Sequence, residues 1–205
     1  MQHRNLPHIY PRGATFFITF CLYNALPNKV VKEIQEEYDL KINKIKKEQN
    51  SKDERNTSLY KLGKKYFADY DILLERYSRD DDFLKNTKVA QIIINKMKEY
   101  DGKRYDLLAY CVMSNHVHVL FCTADYENET VSKTMQLIKG GSAYESNQIL
   151  KREGNFWQKE SYDHYIRNDN ELKNIVHYIL ENPVKAAIVK EWKQYPFSYL
   201  KDELM

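Results

Sequence analysis

Short apolar runs alternate along this chain with longer stretches whose apolar positions recur every three or four residues, and that contrast predicts its elements. Residues 14–22, ATFFITFCL, are dense in aromatic and β-branched types and follow Pro11 and Gly13, which predicts a buried strand. From about Asn28 to Gln49 the apolar spacing is helical and the polar face heavily charged. Residues 50–64 read as a loop or frayed helix broken at Gly63, and a further helical piece with an acidic tail runs to about Tyr77. Phe83, Leu84, Val89, Ile92, Ile93 and Met97 give residues 83–100 a helical stripe that ends at Asp101-Gly102.

Two strand-like runs follow, Tyr105 to Met113 and His116 to Cys122, separated by Ser114-Asn115 as in a tight hairpin. Val131 to Leu150 is helical in spacing, with Gly140-Gly141 a candidate kink. Residues 155–167 are aromatic and irregular, and a short strand is expected within them. Asp169 or Asn168 can cap a last helix across Glu171 to about Glu181, which Pro183 should stop. Strand, helix, strand, strand, helix, strand is the order of a ferredoxin-like (RRM-like) α+β sandwich, one antiparallel sheet backed by helices. On that order residues 1–205 form a single domain, and residues 28–80 are a helical insertion after the first strand.

Composition sharpens this only in places. With 205 residues and 42% hydrophobic content, one real core can form. The net charge of +3 says little, but residues 41–65 hold nine basic against three acidic side chains, and residues 69–82 hold six acidic against two basic. The basic block can bind phosphates, yet a solvated helix face is the commoner explanation for a charge run. The longest apolar-leaning run, Ala14 to Leu22, is too short to cross a bilayer as a helix. Met-Gln-His-Arg-Asn lacks the apolar stretch of a secretory signal, so a cytoplasmic protein is expected. Cys21, Cys111 and Cys122 each sit in an apolar stretch and read as reduced core thiols.

The first chemically loaded feature is His116-Val117-His118. On a strand, residues two apart face the same way, so both imidazoles leave one face of the sheet and can chelate a divalent metal. No acid or third histidine follows closely, so any third ligand comes from elsewhere. A second feature is the pair Tyr178 and Asn182. Four residues on a helix turn about 400° and rise about 6 Å, so phenol and amide overlie each other. Were they to meet the histidines, the mixed nitrogen and oxygen set would suit Mg²⁺ or Mn²⁺, with Zn²⁺ harder to exclude. Tyr162 and Tyr165 are rivals that spacing cannot separate from Tyr178.

Resemblance separates them. MSNHVHVLF (113–121) resembles the His-hydrophobic-His motif of the HUH-type single-tyrosine transposases. FWQKESYDHYIRNDNELKNIVHYILENPVKAAIV (156–189) resembles the second half of the REP-associated tyrosine transposases, and HIYPRGATFFITF (8–20) and WKQYPFSYL (192–200) are similar to the same family. The resemblance implies a ferredoxin-like core that cuts and rejoins single-stranded DNA near hairpins through a 5′-phosphotyrosine. Carried over by motif, Tyr178 is the nucleophile, and His116, His118 and Asn182 are the metal ligands. The long 28–80 stretch departs from the family pattern, as does the Gly140-Gly141 pair in a helix at 131–150 that resembles the family's basic one but carries only Lys133 and Lys139.

Single-stranded or hairpin DNA is the expected partner, with the protein acting as monomer or homodimer. Arg12, Lys139 and Arg167 are candidate phosphate contacts. Trp157 is a candidate for base stacking, with core packing beside Phe156 the competing assignment. Arg167 can instead pair with Asp163 if that stretch is helical. Two other functions compete with strand transfer. One is a non-catalytic single-stranded nucleic-acid-binding module, because ferredoxin-like sheets also carry RNA binders. The other is a metal phosphodiesterase that uses water, in which Tyr178 would be dispensable.

Overall fold

Alternating side chains on one strand set the layers of this protein. In β1 (Thr15–Cys21), Phe16, Ile18 and Phe20 enter one hydrophobic core while Phe17 enters another on the opposite face of the sheet. The computed structural model describes residues 14–48, 51–79, 82–123 and 130–204. After β1 come α1 (Asn28–Glu48), α2 (Lys52–Arg76) and α3 (Thr87–Tyr100), then the hairpin β2 (Asp106–Val112) and β3 (His116–Cys122). The chain continues through α4 (Val131–Ile149), β4 (Tyr162–Tyr165), α5 (Asp169–Lys185) and β5 (Ser198–Leu200).

The five strands run β4-β1-β3-β2-β5, each antiparallel to its neighbours. The first four are the ferredoxin-like order that the sequence predicts, and β5 extends the edge beyond β2. Val89, Ile93 and Met97 of α3 and Met135 and Ile138 of α4 cover one face, against Val117, Val119 and Phe121 of β3. Ile179 and Leu180 of α5 cover the other, against Phe17, Ala109, Cys111 and Leu120. The histidines of β3 therefore project beneath α5. Burial pushes the Cys21 thiol up to about 11 and the Cys111 thiol to about 12, and none of the three cysteines is in a disulfide, as expected of reduced thiols.

Three boundaries differ from the sequence expectation. Residues 52–76 form one helix that passes through Gly63 without a break. The glycine faces Tyr38 of α1, and Tyr38 stacks on Tyr66 with ring centroids 4.3 Å apart. Contact between the two helices supplies what local propensity withholds. In the same way α4 is unbroken across Gly140-Gly141. A Cβ on Gly141 would come within 3.1 Å of the Lys96 side chain on α3, so the glycine lets these helices approach. Finally, α5 continues past Pro183 to Lys185, with Asn182 and Pro183 both buried. Its last turn is closed by Ala186 N–H donating to the Asn182 carbonyl and Ile188 N–H donating to that of Pro183. The helix ends at Ala187, which adopts a left-handed φ of 55°.

Candidate active site

Strand alternation, one helical turn and a carboxylate from outside the sheet converge under α5. His116 and His118 leave β3 on the same face, with ring centroids 4.7 Å apart and Nε2 atoms 3.1 Å apart. Each outer ring nitrogen is held. His116 Nδ1 lies 2.7 Å from Asn115 Oδ1, and Asn115 Nδ2 donates to the Leu74 carbonyl of α2 at 2.9 Å. That second bond fixes the amide orientation, so Asn115 Oδ1 accepts from His116 Nδ1–H. The Nε2 of neutral His116 is then a bare lone pair. His118 Nδ1 lies 2.7 Å from Thr19 Oγ1 of β1, a hydroxyl able to accept as well as donate, which leaves His118 Nε2 free to present its lone pair too.

The third member is Asp71, on the buried side of α2. Its Oδ1 lies 3.4 Å from His118 Nε2 and 3.8 Å from His116 Nε2. Its Oδ2 accepts a hydrogen bond from the Tyr178 hydroxyl of α5. One turn further along α5, Asn182 lies beside His118 and Tyr178, and its Nδ2 donates to the Tyr178 carbonyl at 2.9 Å. The Tyr178 ring stands edge-on to His118 at 5.4 Å and to Phe17 at 5.9 Å, with Lys185 Nζ 5.0 Å from its centre.

This donor set is electron-rich. Asp71 Oδ1 and Asn182 Oδ1 are buried with no hydrogen-bond donor; Asp71 Oδ1 shares the locus with the two Nε2 atoms, and the Asn182 side chain lies beside His118. Burial drives His116 down to about 3, with His118 adding to the effect, and burial lowers His118 as well, so both rings stay neutral in neutral solution. A cation satisfies all of these acceptors at once. Two ligands at about 2.1 Å from one ion stand about 3.0 Å apart at a right angle and about 3.4 Å at the tetrahedral angle, which the 3.1 and 3.4 Å separations match, while the 3.8 Å between Asp71 Oδ1 and His116 Nε2 corresponds to a wider angle. The residues fit a divalent metal. Burial, reinforced by Asp71, also pushes the Tyr178 phenol well above its ordinary range.

The profile of the IS200-like transposases matches residues 69–182, a span that opens two residues before Asp71 and closes on Asn182. The chain belongs to that family. A REP-associated tyrosine transposase of Escherichia coli is 29% identical over 94 residues, which cover 46% of this chain and 53% of that protein. A Haemophilus influenzae relative of the same kind is 29% identical over 102 residues, 46% of this chain and 58% of that one. The chain thus spans just over half the length of these curated relatives. A solved structure of a REP-associated tyrosine transposase bound to a REP hairpin superposes on 96% of this chain and 82% of its own, with a TM-score of 0.56 at 19% identity, a likeness of fold.

Within this transposase-family fold, His116, His118, Tyr178 and Asn182 come together from a single chain. The rival tyrosines sit apart in β4: Tyr162 is stacked on Phe67 at 4.1 Å and Tyr165 is exposed. Trp157 is buried edge-on to Phe20 and Phe156, with its indole N–H donating to Ser142 Oγ at 3.0 Å, the packing arrangement that its sequence leaves open. Lys139 Nζ donates to the Lys159 carbonyl at 2.9 Å and to Ser161 Oγ at 3.0 Å, tying α4 to the segment before β4. Arg167 is exposed and lies over the Tyr60 ring at 3.7 Å. Asp163 belongs to a strand, so the helical pairing with Arg167 does not apply. Arg12 lies outside the described residues. Among the described residues, no helix is long and apolar enough to cross a membrane.

Asp71 was not among the sequence candidates. It lies in the acidic run 69–82, yet Phe67, Asp71 and Leu74 are the buried positions of α2. An acid on an apolar helical stripe is the signal that pointed to it. Lys185, a turn beyond Tyr178, was missed for a plainer reason, because a lysine at a helix C-terminus is commonplace.

Proposed function

We propose that the protein is a metal-dependent DNA transesterase that cuts and rejoins single-stranded DNA through a 5′-phosphotyrosine on Tyr178. The observation that carries this is the meeting of one phenol with two imidazole Nε2 atoms and unpaired carboxylate and amide oxygens in one buried locus. His116, His118 and Asn182 would hold the ion. A divalent ion there, Mg²⁺ or Mn²⁺ by the chemistry of the donor set, would polarise a non-bridging phosphate oxygen and offset its charge. Tyr178 Oη would attack phosphorus in line, forming the O–P bond as the P–O3′ bond breaks and a 3′-hydroxyl departs. Only about 0.1% of an ordinary phenol is ionised at pH 7, and Tyr178 is harder still to ionise where it lies, so loss of its proton to water needs the nearby positive charge. Phenolate leaves more readily than an alkoxide, so a later 3′-hydroxyl can reverse the step without ATP.

Family membership supports this chemistry, and the hairpin-bound structural relative makes REP-like hairpin DNA the substrate to try first. The test is incubation with single-stranded hairpin DNA and Mn²⁺ or Mg²⁺, followed by denaturing electrophoresis. A protein–DNA adduct that disappears in Tyr178→Phe is expected. Cleavage that persists in Tyr178→Phe without an adduct would indicate water as nucleophile, and binding without cleavage would indicate a binding module.

A further inference from the structure

A strand of DNA cannot reach this site as it stands. His116, His118 and Asn182 are 1%, 0% and 1% exposed, and Asp71 on α2 is 5% exposed above them. The Asp71 carboxylate does what a scissile phosphate would do, with one oxygen toward both Nε2 atoms and the other accepting from the Tyr178 hydroxyl. It is anionic, trigonal and bridging. We propose that Asp71 occupies the seat of the scissile phosphodiester in a closed resting state, and that DNA binding displaces it together with the α2 segment that carries it. This rests on the transesterase reading and adds to it a subsite and a gate.

Two polar rungs link α2 to α5, with Phe67 of α2 packed edge-on to Tyr178 at 5.9 Å between them. Lys64 donates to Glu171 at 3.0 Å, and seven residues on along both helices, Tyr178 donates to Asp71. Seven residues are about two helical turns, so the rungs lie on matching faces of helices running in the same direction. The far rung is reinforced by Tyr60, which also donates to Glu171. At the opposite end α2 is pinned, where Asn115 donates to the Leu74 carbonyl and Leu74 is fully buried. The arrangement is a lever pivoting near Leu74, fastened at Tyr60 and Lys64, with the carboxylate plug three residues from the pivot. Displacing the plug leaves the seat bordered by Tyr178, Lys185 and the imidazoles, groups suited to a phosphate.

The experiment reads the gate without relying on catalysis. Diethyl pyrocarbonate labelling of His116 and His118, mapped by mass spectrometry without added metal, is expected to be slow in the wild type. It should speed up about tenfold in Tyr60→Phe, which unfastens the lever without altering charge or touching the ion site. Adding hairpin DNA and Mn²⁺ should accelerate amide exchange across residues 60–72 in the wild type. Asp71→Asn should bind Mn²⁺ more weakly without DNA and recover affinity with hairpin DNA. Unchanged labelling in Tyr60→Phe, slower exchange across 60–72 with DNA, or a Mn²⁺ affinity in Asp71→Asn that hairpin DNA does not restore would each overturn the gate. Absence of an adduct in the wild type would instead remove the transesterase reading.

Discussion

Asn115 shows how much one buried amide decides. It fixes the tautomer of His116 through Oδ1 and anchors the end of α2 through Nδ2. Asn115→Ala leaves a buried carbonyl and a ring N–H unpaired, so we expect a loss of about 1–3 kcal/mol in urea denaturation. Mn²⁺ affinity should fall about 10- to 100-fold by calorimetry, because outer partners orient metal-binding imidazoles. Asn182 predicts a different division of effects. Asn182→Ala should reduce Mn²⁺-dependent adduct formation much more than hairpin-DNA binding measured by fluorescence anisotropy, since Asn182 lies beside His118 and its buried Oδ1 has no hydrogen-bond donor. Equal losses of cleavage and binding would contradict a ligand role.

At the scale of elements, the entry to α5 governs how Tyr178 is presented. Asn168 caps that helix by accepting from Glu171 N–H at 2.9 Å, while Glu171 is itself a hub for Tyr60, Lys64, His164 and the Arg167 backbone N–H. Burial alone would raise the Glu171 carboxyl, but these donors outweigh it and hold it at about 2. A carboxyl lowered by folding stabilises the protein fully above its unfolded value of about 4.3, and that contribution is lost as pH falls toward 2. The difference in stability between wild type and Glu171→Gln should therefore shrink as pH is lowered from 5 to 2, read from urea midpoints. Helix α4 offers a contrasting test. A methyl group on Gly140 meets nothing within 4 Å and the backbone there is helical, so Gly140→Ala should stabilise by about 0.5–1 kcal/mol. Gly141→Ala should gain less, because Lys96 must yield.

For the whole molecule, periodicity carried the architecture and failed at function's outer layer. Strand alternation placed His116 and His118 together, and the i, i+4 relation placed Tyr178 over Asn182, because both follow from local geometry alone. Gly63 and Pro183 misled for the converse reason: their local preferences yielded to packing against Tyr38 and to burial of the last turn of α5. Asp71 was hidden because its meaning is tertiary. Nothing nearby in sequence shows that α2, in a stretch read as an insertion, reaches across the sheet to the histidines. Its position on the stripe of Phe67 and Leu74 was the one local trace of that role. The fastening of Tyr60 and Lys64 to Glu171 spans more than a hundred residues and left no local trace.

The convergence of nucleophile and ion locus is tested most directly by locating the covalent bond. Wild-type protein would be incubated with Mn²⁺ and single-stranded hairpin DNA, digested with nuclease and protease, and its peptides sequenced by mass spectrometry. A 5′-linked nucleotide remnant on Tyr178 is the predicted result, dependent on the metal and lost when His116 or His118 is replaced by alanine. A remnant on Tyr162 or Tyr165, or cleaved DNA with no modified tyrosine, would contradict it.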